Sequence, residues 1–272
     1  MEAAIAFSIL AYLASTAGYI AFFLLQKQRL QQAGFGALMA GFAVHTAALV
    51  LYGFELGHFP AATMRETLSL AGWAIAGGFI LLNTRYPLKI LGVYAAPFAA
   101  LLMLIVSQLP DEPSKTTPIF KSLWLVTHVT MILIGEAAFA LACGVGILYL
   151  IQENTIKAKR GRFFFKRLPS LELLDSTGYA CIVVGFTFLT VGLITGLIYA
   201  RSVWGRFWSW DPKEVWSATA WLFYAVLLHE RLTVGWRGRR SAIMAIIGFG
   251  VLLFTFLGVN LFMEGHHAVF TK

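Results

Sequence analysis

Eight stretches of predominantly apolar residues, each about long enough to cross a bilayer, dominate this chain: roughly 3–25, 35–54, 68–83, 89–109, 122–151, 177–200, 213–231 and 241–262. A helical span needs about 20 such residues, because the hydrocarbon layer is about 30 Å thick and offers no partner to an unpaired backbone group. The pattern therefore predicts an all-α, polytopic integral membrane protein of about eight transmembrane helices. Composition agrees: 59% of residues are hydrophobic and only 12% charged, against about 25% charged in a soluble domain. Disorder, a secreted disulfide scaffold and a soluble Rossmann or barrel enzyme are excluded. The first stretch reads as a span rather than a signal peptide, since its first charge is Glu2 and its apolar run is too long. With no internal repeat or low-complexity linker, residues 1–272 read as one domain.

The +8 net charge raises the question of nucleic acid, but in a membrane chain basic residues first report orientation. Fourteen Lys and Arg fall in the odd-numbered connections and seven on the other side. Four acids share the richer side and leave it at +10. The excess is topology and contact with anionic lipid, and no nucleic-acid partner is needed. Both termini are expected outside. The largest inner connection, 152–176, carries Lys157-Ala-Lys-Arg-Gly-Arg162 and then Phe163-Phe-Phe-Lys-Arg167. Cations beside a Phe triplet suit a segment at the inner membrane surface better than a partner-binding motif. Cys143 and Cys181 lie inside expected spans without a CxxC spacing. They read as small packing residues rather than a metal or redox pair.

Four Trp and one Phe fall within thirteen residues from Trp204 to Trp216, in the connection between the sixth and seventh spans. An interfacial belt would distribute its Trp over several helix ends. Here half of the protein's eight Trp occupy one segment, which favours a platform for a planar, mostly apolar ligand. Indole faces supply stiff contact area, and Arg201 and Arg206 are placed to meet acidic substituents. Asp211, Pro212 and Glu214 have the spacing of an N-cap, a first-turn proline and a capping box. They would tie the aromatic segment to the start of the seventh helix.

Six histidines complete the inventory. His128 lies near the outer end of span five, and His266 and His267 follow span eight on the same side. Two imidazoles flanking an aromatic face can hold haem iron axially. His229 is about 26 Å deeper than the start of its helix at 1.5 Å per residue. It belongs either to a second, lower site or to a satisfied interior position. His45 reads as packed or hydrogen-bonded, and His58 as a loop residue. Glu136 is costly to bury and must face a partner or cavity.

The motif Trp204-Gly-x-x-Trp208-x-Trp210-Asp-Pro-Lys-Glu214 closely resembles the WWD signature of the haem-handling family that includes CcsA/ResC, CcmC and CcmF. Gly57-His-Phe-Pro60 with Glu66-Thr-Leu-Ser69, Trp216 through His229-Glu-Arg231, and Gly258-Val-Asn-Leu261 with Gly265-His-His267 resemble further family segments. Thr63 stands where the family commonly has Asn. The resemblance implies a CcsA-type subunit of a cytochrome c synthase in the bacterial cytoplasmic (inner) membrane, with the WWD loop on the periplasmic side. Its substrate would be haem b, presented for thioether formation to the CxxCH of apocytochrome c. Its partners would be a CcsB/ResB-like membrane subunit and thiol-reducing proteins. By resemblance His128 and His267 bind the haem iron and His229 serves a lower haem site. Trp204, Trp208, Trp210, Asp211 and Arg206 belong to the WWD segment. Two other readings fit the residues: a HemX-like membrane regulator of haem synthesis, and a transporter of another planar ligand.

Overall fold

The computed structural model describes residues 2–110, 122–158, 163 and 167–259. Its regular elements are helices: α1 (Glu2–Leu25), α2 (Gln28–Leu56), α3 (Met64–Arg85), a short 3-10 turn (Lys89–Leu91) running into α4 (Gly92–Gln108), α5 (Leu123–Ala158), α6 (Leu171–Trp204), α7 (Pro212–Thr233) and α8 (Arg239–Leu253), which continues as a π turn (Phe254–Gly258). The protein is an all-helical, multi-pass membrane protein. Seven helices among the described residues are long and apolar enough to cross a membrane, and α7 is outside that set. Its 22 residues suffice in length, but Lys213, Glu214, Glu230 and Arg231 sit at its two ends and lower its hydropathy. The seventh expected span, 213–231, is thus present as a helix whose ends are polar.

The helices meet through small residues, as expected where lipid competes equally for apolar side chains. A Cβ on Gly18 would lie 2.7 Å from the Gly34 Cα, so α1 and α2 touch backbone to backbone. The most extensive pairing joins α5 to α6. There Gly178, Gly185 and Gly192 recur every seven residues, the period at which one face of a helix keeps meeting the same partner. Phe139 fills the hollow at Gly185, and Ile132 fills that at Gly192. α5 also packs on α3 and α8, while α4 joins α1 to α3, so α5 is the central post.

Helix starts are built by side-chain caps. Thr63 Oγ1 accepts from the Glu66 amide at 3.2 Å, and the Glu66 carboxylate accepts from the amides of Ala62 and Thr63. Thr63 is thus the N-cap of α3, a role that Thr or Asn can fill. At the end of α1, Arg167 donates to the carbonyls of Phe23 and Leu24 at 2.9 and 3.0 Å. It also lies 3.8 Å from the centroid of Phe163. The final carbonyls of a helix lack intrahelical partners, and a guanidinium there meets the negative end of the dipole. The described part of the basic 152–176 connection is therefore fastened to α1. Lys159, Arg160, Arg162 and Lys166 lie outside the described residues.

A charged knot joins α6, α7 and α8. Arg231 grips Asp175 with two bonds of 2.7 and 3.0 Å, and Asp175 also accepts the Gly238 amide at 2.7 Å. Arg231 further reaches Ser241 Oγ at 3.3 Å and lies 4.3 Å from the Tyr179 ring centroid. Cys143 and Cys181 are both buried as free thiols, consistent with packing roles.

Candidate functional site

The aromatic segment is held in a strained shape by one carboxylate. α6 ends at Trp204, and Gly205 closes it with a left-handed φ of 74° while its amide donates to the Arg201 carbonyl. The Arg201 side chain reaches back to the Gly205 carbonyl. At the other end Asp211 caps α7: its Oδ1 accepts the Lys213 amide at 2.9 Å, and Pro212 occupies the first turn. Glu214 then reaches backwards. It accepts the Ser209 amide at 2.8 Å, the Ser209 hydroxyl at 2.9 Å and the Asp211 amide at 3.3 Å. These bonds hold both neighbours of Trp210. Trp210 has φ 60°, a left-handed conformation that a bulky side chain adopts only when its surroundings impose it. Its indole is 77% exposed and meets Trp208 edge-on, with centroids 5.8 Å apart. Trp204 packs against Tyr199, Trp208 is half-buried and Arg206 is exposed. Trp216, one turn into α7, packs on Phe254 at 4.6 Å, where α8 widens into its π turn. Such turns often mark functional positions.

His128 sits against α6 rather than at the level of the loop. Its Nδ1 is 2.7 Å from the Gly192 carbonyl, and a Cβ on Gly196 would be 2.7 Å from its Nδ1 and Cε1. Gly192 and Gly196 precede Trp204 by twelve and eight residues, or about 12–18 Å of helical rise. A carbonyl only accepts, so Nδ1 carries the hydrogen, and in the neutral ring Nε2 then holds the lone pair. That is the tautomer in which a histidine binds a metal through Nε2. The donor chemistry of this imidazole fits haem iron. His267 and His266 lie outside the described residues.

The profile of the family described as Cytochrome C assembly protein matches residues 5–267. The chain belongs to this family. It is 38% identical over 220 residues to the cytochrome c biogenesis protein CcsA of Chlamydomonas reinhardtii, covering 78% of this chain and 61% of that protein. Against CcsA of Synechococcus sp. strain CC9605 it is 33% identical over 276 residues, covering 92% and 90%. A solved structure titled Cytochrome c Heme Lyase CcmF has the same fold, with a TM-score of 0.66 at 16% identity, over 97% of this chain and 46% of that one. The chain thus spans under two thirds of the algal protein and about half of CcmF.

Within this member of the cytochrome c assembly family the other histidines separate clearly. His45 is buried, with Tyr12 Oη 3.2 Å from Nδ1 and Ser69 Oγ 2.9 Å from Nε2, so both ring nitrogens are engaged in the core. His58 is buried beside the Phe59 carbonyl at 2.9 Å. His229 is exposed on the face of α7 that also presents Leu222 and Val226. The imidazole is thus turned outward from the described bundle. Glu136 lines a cavity of about 50 Å³ whose other walls include Phe98, Phe249 and Phe256, and Lys213 supplies an opposing charge. The capping box of Asp211 and Glu214 is as expected, whereas the seat of His128 in Gly192 and Gly196 and the further bonds of Glu214 to Ser209 have no local sequence signature. The heptad of glycines was the available signal for the His128 seat.

Proposed function

We propose that this protein transports and presents haem b as substrate and serves as the CcsA-type subunit of a cytochrome c synthase. The observation that carries the reading is the Nδ1–H bond of His128 to Gly192, the outer contact that fixes the tautomer of a ligating histidine. Haem supplies an iron for axial imidazoles and two vinyl groups for thioether formation. His128 and His267 are the proposed outer ligands, and Trp204, Trp208 and Trp210 the platform. Arg206 would pair with the propionates, while Asp211 and Glu214 hold the loop on α7. His229, turned outward on α7, is the proposed ligand of a lower site on the export route.

In the attachment step each cysteine S–H of the apocytochrome CxxCH adds across one vinyl C=C, so the C–S bond forms and the proton moves to carbon. No oxidant is consumed. The protein's contribution is orientation and shelter from water. A CcsB/ResB-like subunit and thiol-reducing proteins are the proposed partners. The proposed topology sets both termini and the WWD loop outside a bacterial cytoplasmic membrane. Expression in a strain lacking its CcsA tests the reading: holocytochrome c is expected to return. Normal accumulation of the protein without holocytochrome c would contradict it and favour a HemX-like regulator.

A further inference from the structure

The carbonyl that orients His128 has a second donor. Thr195 Oγ1 is 2.9 Å from Gly192 O and also 2.9 Å from Val191 O. Its single proton is therefore shared between the two acceptors. Thr195 is buried, so water does not compete for this hydroxyl. One helical turn of α6 thus gathers three controls on the histidine: an acceptor for Nδ1–H, a hydroxyl that draws on the same oxygen, and a missing Cβ that leaves room for the ring.

An acceptor on the distal N–H of a ligating imidazole strengthens the ring as an electron donor, and such outer contacts tune the metal. A stronger donor stabilises ferric over ferrous iron. A hydroxyl proton pulling on the same carbonyl weakens that acceptor. We propose that Thr195 and Gly196 are positioning residues for His128: Gly196 fixes where Nε2 points, and Thr195 tempers its donor strength so that bound haem stays readily reducible. The inference rests on the reading of His128 as a haem ligand. Neither residue touches the ligand; both act through the imidazole.

The experiment uses the full-length protein purified with its haem, and reads the midpoint potential by spectroelectrochemistry together with the haem content. Thr195→Val removes the competing proton while keeping the side-chain shape, and the midpoint is expected to shift downward. Thr195→Ser restores the hydroxyl and should return the parent potential. Gly196→Ala drives a methyl into Nδ1 and Cε1, and is expected to lower haem content or raise the midpoint through loss of the Gly192 bond. His128→Ala is measured alongside. If His128→Ala alters the spectrum but Thr195→Val and Thr195→Ser both keep the parent potential, the role of Thr195 is overturned while the ligand assignment stands. If His128→Ala leaves content and spectrum unchanged, the ligand assignment fails and this inference with it. A downward shift in Thr195→Val that Thr195→Ser reverses supports the proposal, because a merely structural threonine would move stability rather than potential.

Discussion

Asp175→Ala is expected to destabilise the protein by about 2 kcal/mol, since this ion pair is part-buried and removing one partner of a fully buried pair costs about 3–5 kcal/mol. The Arg231 side chain is only 9% exposed, so its charge would be left largely without solvent. Two Arg231 bonds and the Gly238 amide bond all end on Asp175, and the Gly238 amide would lose its acceptor as well. Arg231→Met in the same chain removes the stranded charge, and the double variant should recover much of the loss. Denaturant unfolding in detergent, following helical signal, measures both. A single variant within about 0.5 kcal/mol of the parent, the usual range for an uninvolved surface change, would show that the knot does not hold α6, α7 and α8 together.

Trp210→Gly is expected to separate stability from haem retention. A non-glycine residue in the left-handed region costs about 1–2 kcal/mol, and glycine removes that strain at an entropic cost of about 0.5–1 kcal/mol. The indole is largely exposed, so little packing is lost with it. Trp210→Gly should therefore unfold near the parent and be more stable than Trp210→Ala, which keeps the strained φ. Haem content should fall in both. Glycine ranking below alanine, or parental haem in both variants, would contradict a loop that spends backbone strain to present Trp210.

Much of this was legible in the chain because membrane spans and caps are local. Asp211-Pro-Lys-Glu214 announces its helix start within four residues, and the structure has that cap. The apolar stretches mark the helices to within several residues. What escaped depends on contacts distant in sequence or on helix phase. His128 meets a carbonyl 64 residues away, and Arg231 meets an acid 56 residues away. The phase of α7 was hidden for a different reason. Its buried face, Ala220, Tyr224 and Leu227, and its exposed face, Leu222 and Val226, are both apolar. Hydrophobic periodicity distinguishes inside from outside only when the outside is water. Hence the residues alone leave open which way His229 faces, and in the structure it lies on the exposed face of α7.

The central proposal is that His128 presents Nε2 to haem iron. Its most direct measurement is the optical spectrum of the purified protein, reduced and oxidised, with and without His128→Ala. The expected result is a loss of haem, or a displacement of the Soret and α/β bands, that added imidazole reverses by occupying the vacated axial position. Unchanged haem content and unchanged bands in His128→Ala would contradict the account.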